Sequence, residues 1–190
     1  MATRSFIADD KPAAGVDRAP ASAGRILRYQ LNVVGSTTED VVQSAGGWLC
    51  DRARAGWDVN VLVADGGDPR PLTILGATAL DSDEGFLSMV RSASRVGALA
   101  VSADLLGNDT RVRDEVLRAL KRGLTEVTVW GKEWPAELGR QADSVQHRVS
   151  AAARAFKSHA LVAADVSDAV APSETLFRIG TGSFRPLYSV

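Results

Sequence analysis

Short aliphatic runs alternate with helical patterns along most of this sequence, and the alternation limits the folds that the chain can adopt. The runs that predict strands are residues 31–34, 59–64, 72–75, 99–103 and 127–130, and the segments with helical periodicity are residues 41–55, 84–96, 112–120 and 145–160. Strands that alternate with helices favour a mainly parallel sheet covered by helices on both faces. The sequence therefore predicts an α/β, doubly wound, Rossmann-like fold in a single domain.

The length and composition are consistent with one hydrophobic core. The chain has 190 residues, of which 45% are hydrophobic, and two full domains would be cramped in that length. Residues 1–24 are rich in alanine, proline, glycine and charge, so they predict a disordered tail. We expect the α/β domain to span residues 25–165, followed at residues 166–190 by an irregular tail or an edge hairpin.

Charge and composition disfavour several classes of partner. The net charge of −1, from 22 basic and 23 acidic residues, provides no bulk attraction to nucleic acid or to a membrane surface. The sequence shows neither a secretory signal nor an apolar run of about 18 residues, so we expect a soluble, cytoplasmic protein. The single cysteine, Cys50, excludes an internal disulfide. An oligomer is compatible with all of these features.

Two adjacent glycines interrupt the first predicted helix. Gly46 and Gly47 lie within an apolar stripe that includes Val41, Ala45 and Trp48. Each glycine costs roughly 1 kcal/mol relative to alanine in a helix interior. Such a pair indicates close approach by another part of the backbone, or room for a ligand beside the helix.

The start of this helix has two interpretations. The segment from Ser36 to Glu39 matches a capping box, and Asp40 in the first turn would interact favourably with the helix dipole. Alternatively, polar side chains that follow strands converge on the crevice where doubly wound sheets bind ligands. Asp65 and Asp104 also follow predicted strands, although turns and helix caps explain such residues equally well.

The same segment resembles the LmbE/PIG-L family of zinc-dependent N-deacetylases and amidases. That family carries His-Pro-Asp-Asp after the first strand and Gly-Gly in the following helix, and counting back from Gly46-Gly47 aligns its motif with residues 37–40. A later His-x-Asp-His motif of the family corresponds to residues 144–147. Altogether the resemblance covers about residues 30 to 160.

The resemblance implies roles for several residues. Asp40 and His147 occupy the positions of two zinc ligands, and Glu39 occupies that of the general base. Thr37 replaces the first ligand histidine, and Ser144 replaces the histidine that helps to polarise the amide carbonyl. A catalytic zinc usually has three protein ligands, so we expect no zinc or only weakly bound zinc.

Three functional hypotheses follow. The leading one is a catalytically impaired LmbE/PIG-L-like domain that binds a small polar metabolite or a protein partner, with Ser36, Thr37, Asp65, Asp104 and Ser144 as ligand-binding residues. The second is an active zinc-dependent N-deacetylase or amidase acting on N-acylated amino-sugar conjugates, with Asp65 or Asp104 as an added ligand. The third is an unrelated open α/β regulatory module, which would have a different strand order.

Overall fold

The computed structural model describes residues 29–80, 85, 87–90, 97–122, 126–131, 134 and 142–179. The strands are β1 Gln30–Gly35, β2 Asp58–Val63, β3 Thr78–Leu80, β4 Gly97–Ser102, β5 Val127–Trp130, β6 Asp143–Arg148 and β7 Ser173–Ile179. The helices are α1 Thr38–Arg54, α2 Arg70–Ile74, α3 Ala103–Asn108, α4 Thr110–Arg122 and α5 Ala151–Ala163. Residues 87–90 are also helical.

The strands form one sheet in the order β3-β2-β1-β4-β5-β7-β6. Strands β1 to β5 pair in parallel, whereas β7 is antiparallel to both β5 and β6. The chain moves from β1 outward to β3 and then returns to place β4 on the other side of β1, so the topological switch point lies between β1 and β4. The predicted α/β, mainly parallel fold is confirmed.

Both faces of the sheet are buried, which explains why its strands read as continuous aliphatic runs. Along β1, Leu31 and Val33 pack on the face covered by α1, α2 and α5, whereas Val34 packs on the face covered by α3 and α4. Successive side chains of a strand point to opposite faces, so a strand buried on both sides needs apolar residues at every position.

The apolar run at residues 72–75, predicted as a strand, is helical instead. Residues 72–74 belong to α2, which has Pro71 in its first turn, and Leu75 is the C-cap, followed by Gly76 at φ +81°. Proline suits the first turn of a helix because its missing N–H has no helical partner there, and glycine suits the left-handed position after the last turn. These flanking residues, rather than the apolar run, determine the local structure.

The helix predicted at residues 145–160 is in fact a strand followed by a helix. Val145 and His147 are partly buried in β6, while Ser144, Gln146 and Arg148 are exposed, which is the period of a strand. Ser150 then begins α5, where its side-chain oxygen accepts a hydrogen bond from the Ala153 amide. The helical spacing of the apolar residues in α5 happens to continue back to Val145 of β6, which explains the wrong prediction.

The sheet continues beyond residue 165, where we placed the end of the α/β domain. β7 lies inside the sheet, hydrogen-bonded to β5 on one side and β6 on the other, rather than at an edge. The tail predicted at residues 1–24 lies outside the described residues, and of the helix predicted at 84–96 the described part is helical at 87–90. Among the helices of the described chain, none has the length and apolar character to cross a bilayer.

Candidate functional site

The junction between β1 and α1 lies at the carboxyl edge of the sheet. Thr37 is the N-cap of α1, with φ −135° and ψ 160°, and its side-chain oxygen accepts a hydrogen bond from the Asp40 amide. The capping residue is therefore Thr37 and not Ser36, which we predicted as the start of a capping box. Glu39, the candidate base, is exposed in the first turn. Capping thus accounts for Thr37, one of the residues predicted to bind a ligand.

Two serines meet at the topological switch point. Ser36 follows β1, Ser102 ends β4, and their Oγ atoms are 3.2 Å apart. The buried Ser102 also caps α3 by accepting a hydrogen bond from the Leu105 amide at 3.1 Å. Ser36 is only half-buried. Its hydroxyl therefore lies at the position where doubly wound sheets bind their ligands.

Asp40 connects α1 to the end of β5. Its Oδ1 accepts a hydrogen bond from Ser44 Oγ at 2.9 Å, and its Oδ2 accepts one from Trp130 Nε1 at 3.1 Å. Trp130 is the last residue of β5 and is fully buried. Both oxygens of the Asp40 carboxylate are thus held by neighbouring side chains of the same chain, and the carboxylate has a fixed orientation.

The loop after β2 covers the first turn of α1. Thr38 is buried, and among the described residues its Oγ1 has no hydrogen-bond partner. A Cβ atom added to Gly67 would lie 3.0 Å from this oxygen, so the absence of a side chain lets the loop close over it. Asp65 Oδ1 accepts a hydrogen bond from the Gly67 amide at 3.2 Å, and such a bond from the amide two residues on is typical of an aspartate in a turn.

The predicted site residues divide into two groups. Strand ends and first helical turns bring Ser36, Thr37, Asp40, Asp65 and Asp104 to the carboxyl edge, with Asp104 exposed in the first turn of α3. Ser144 and His147 lie on β6, at the outer edge of the sheet. Ser144 pairs with Phe177 of β7, which pairs in turn with Val129, so about 10 Å of sheet separates Ser144 from β5.

His147 contacts the C-terminal half of α1. Its Nε2 atom is 2.9 Å from Oδ2 of Asp51. Asp51 follows Asp40 by eleven residues (51 − 40) within α1, which is roughly 16 Å along the axis at a rise of about 1.5 Å per residue. The structure therefore does not bring Asp40 and His147 together, and they do not share a metal site in this arrangement.

Asp51 anchors the corner between β6 and α5. Besides His147, its carboxylate accepts a hydrogen bond from the Ser150 amide at 3.2 Å. Partial burial raises the pKa of Asp51, but the hydrogen bonds from Ser150 and His147 outweigh it, so the pKa lies below its ordinary value. These contacts give His147 a structural role.

Zinc does not fit the predicted ligands as they are arranged. The carboxylate of Asp40 is held at the first turn of α1 by Ser44 and Trp130, whereas the imidazole of His147 is held by Asp51 near the end of the helix, so one ion cannot reach both. Within the described residues, no group of three or more histidine, cysteine, aspartate and glutamate side chains is placed to hold a metal ion.

Sequence reasoning missed the contacts that connect the site to the rest of the molecule. Ser44, Ser102 and Trp130 were not assigned to it, although each contacts a residue that was. The order of the strands could have identified two of them, since Ser102 ends β4 and Trp130 ends β5, on the far side of the switch point.

Comparison with known proteins gives similarity of fold. No family model matches the chain, and no curated protein matches its sequence. A solved deacetylase–teicoplanin complex from the teicoplanin biosynthesis pathway superimposes with a TM-score of 0.54 at 13% identity, over 78% of this chain and 97% of that one. The A40926 pseudoaglycone deacetylase Dbv21 gives 0.52 at 14% identity, over 83% and 100%. GalB, the 4-carboxy-2-hydroxymuconate hydratase from Pseudomonas putida KT2440, gives 0.51 at 12% identity, over 84% and 100%.

At these identities the comparisons define a fold class and not an activity. The chain has an α/β fold like that of these deacetylases, which is the fold that the LmbE/PIG-L resemblance implied.

Proposed function

We propose that this protein is an LmbE/PIG-L-like α/β domain that binds a small polar molecule at the carboxyl ends of β1 and β4 without efficient zinc-dependent hydrolysis. The observation that carries this proposal is the separation of Asp40 from His147, each held by a different partner along α1. The polar residues at the carboxyl edge support binding of a ligand, and the dispersal of the ligand set that the resemblance implied argues against hydrolysis.

The polar groups at this edge suit a ligand that both donates and accepts hydrogen bonds. The hydroxyl of Ser36 can do both, and the carboxylate of Asp40 has lone pairs beyond those used by Ser44 and Trp130. Asp65 and Asp104 add exposed carboxylates at the rim. Hydroxyl, amide or amine groups on the ligand would complement this set. Ser144 lies outside it, on β6.

The fold likeness to two deacetylases supports a second candidate, an active zinc-dependent N-deacetylase acting on N-acylated amino-sugar conjugates. Glu39 would then act as the base, because it lies exposed one residue before Asp40 in the first turn of α1. This candidate requires donors other than His147 beside Asp40.

The two candidates are separated by metal content and turnover. Protein prepared without chelator is analysed for zinc, titrated with zinc by calorimetry, and assayed for release of acetate from N-acetylglucosamine. We expect substoichiometric zinc and no release above that of Asp40→Ala. Stoichiometric zinc that is lost together with hydrolysis in Asp40→Ala would establish the deacetylase and overturn our proposal.

Ligand binding is tested by thermal shift against a panel of polar metabolites. A ligand present at 100 times its Kd stabilises the folded state by about 2.7 kcal/mol, which such a scan resolves. We expect a saturable shift that Asp40→Asn weakens and that Asp114→Asn, an exposed change on α4, leaves intact. A ligand whose shift is the same in all three proteins would place binding elsewhere.

A further inference from the structure

A buried ion pair lies against the middle of α1. Lys157 of α5 and Glu174 of β7 are each 3% exposed, and their Nζ and Oε1 atoms are 2.5 Å apart. Removing two charges from water is costly unless their remaining hydrogen-bonding groups are also satisfied. The structure satisfies them with the backbone of α1.

Both members of this pair contact the backbone of α1. Glu174 Oε1 accepts a hydrogen bond from the Gly47 amide at 2.8 Å, and Oε2 accepts one from the Trp48 amide at 2.7 Å. Lys157 Nζ donates to the Gln43 carbonyl at 2.7 Å. In an α-helix the Gly47 amide also points toward that carbonyl, so the two charged groups meet α1 at the same step of the helix.

Gly47 provides the space for the carboxylate. A Cβ atom added there would lie 2.9 Å from Glu174 Oε1 and 2.6 Å from Cγ1 of Val149. A cavity of about 380 Å³ lies beside Lys157, and its lining also includes Gln43, Leu161 and Asp168. The Glu174 carboxylate therefore meets two adjacent amides of α1 and the ammonium group of Lys157.

We propose that α1 and Lys157 form a carboxylate-binding site whose resident occupant is Glu174 of the same chain. Two adjacent N–H groups and one ammonium group make charge-assisted hydrogen bonds to a single carboxylate, which is how proteins recognise small carboxylate ligands. Glu174 thus attaches β7 to α1 as a ligand would. Once its side chain is removed, the site takes formate or acetate in its place.

The test is chemical rescue of Glu174→Ala. Thermal unfolding is followed for the wild type and the variant in sodium formate, sodium acetate and sodium chloride at equal ionic strength. We expect a saturable rise in the Tm of Glu174→Ala with formate and acetate but not with chloride, and no such difference for the wild type. Equal responses of the variant to all three salts would overturn the proposal.

A second variant keeps the proposal testable if Glu174→Ala does not fold. Glu174→Gln preserves the shape but directs an NH₂ group at one of the two amides. We expect hydrogen exchange of the Gly47 and Trp48 amides to accelerate roughly tenfold or more, since a hydrogen bond to a charged group is lost. Glu126→Gln is the matched control, because Glu126 pairs with Arg178 of β7 at a partly exposed position. Unchanged exchange of both amides in Glu174→Gln would refute the site.

Discussion

Asp51 carries a charge that should affect the pH dependence of folding. Its pKa is raised by partial burial but lowered further by the hydrogen bonds from Ser150 and His147, so the folded value lies below the unfolded one. A carboxyl group of this kind stabilises the folded state fully above its unfolded pKa of about 3.9, and that contribution is lost as the pH falls through the lower folded pKa.

We therefore predict that Asp51→Asn reduces the free energy of unfolding by about 1 kcal/mol at pH 7, the scale of a charged hydrogen bond at a partly exposed site. The difference from the wild type should shrink as the pH falls from the unfolded pKa of about 3.9 through the lower folded pKa, because Asp51 then takes up a proton and loses its charge. Urea unfolding at a series of pH values measures this. Asp114→Asn is the control, and a difference that persists unchanged at pH 3 would contradict the assignment.

The two glycines of α1 should respond differently to alanine, although they are neighbours. A Cβ atom at Gly46 would meet Leu75 Cδ1 at 3.2 Å, whereas one at Gly47 would meet two methyl groups of Val149 at 2.6 and 2.8 Å. Alanine gains roughly 1 kcal/mol in helix propensity at either position, while overpacking costs about 1–3 kcal/mol. We predict that Gly46→Ala is close to neutral and that Gly47→Ala destabilises the protein, as measured by urea unfolding. Equal effects of the two substitutions would argue against the close contacts of Val149 and Glu174 with Gly47.

The glycine pair also shows what a residue pattern can and cannot predict. Its cost within an amphipathic helix predicted close approach by another part of the backbone, or room for a ligand at the helix start, whereas the groups that lie against Gly47 are side chains. The partners, Val149 and Glu174, come from segments more than 100 residues away in the sequence. No local pattern around Gly47 identifies them, because their position depends on the strand pairing of β6 and β7.

At the scale of elements, the junctions between strands and helices carry much of the candidate site. Ser102 both caps α3 and contacts Ser36, so its hydroxyl serves two elements at once. We predict that Ser102→Ala lowers the free energy of unfolding by about 1 kcal/mol through loss of the cap, and that Ser36→Ala costs less. Hydrogen exchange of the Leu105 amide should accelerate in Ser102→Ala only. Acceleration in both variants would mean that the two hydroxyls act as one cap.

Elements with unambiguous periodicity were predictable, and those with mixed signals were not. The strands β1, β2, β4 and β5 and the helices α1 and α4 follow from apolar runs and stripes of adequate length. α2 is five residues long, too short for its period to be distinguished from that of a strand, although Pro71 and Gly76 carried the signal. β6 was assigned to α5 because Val145 falls by coincidence on the helical stripe that begins at Val149.

At the scale of the molecule, the rule that ligands bind at the carboxyl ends of parallel strands predicted part of the site. Because parallel strands end at the same edge, the gathering of Ser36, Asp40, Asp65 and Asp104 follows from element order alone. The position of His147 does not, since it depends on a strand that the sequence analysis assigned to a helix. Because this one element was predicted wrongly, His147 was expected beside Asp40, whereas it contacts Asp51 in the C-terminal half of α1.

The sheet makes residues 143–179 part of the same folding unit as the strands before them. Leu176 of β7 is 3% exposed and belongs to the core cluster that includes Trp48, Leu49 and Trp130. A domain with one shared core unfolds in a single cooperative transition, and truncating a buried leucine to alanine costs about 2–5 kcal/mol.

We predict that Leu176→Ala shifts the unfolding of the whole domain by that amount and not that of β6 and β7 alone. Tryptophan fluorescence reports on the core around Trp48 and Trp130, and hydrogen exchange of β6 and β7 reports on the C-terminal strands. Their midpoints should move together, whereas Val162→Ala, at a position 73% exposed on α5, should move neither. If β6 and β7 lost protection in a separate, earlier transition, the fold would instead divide near residue 165, and the contact of Glu174 with α1 would join two units rather than complete one.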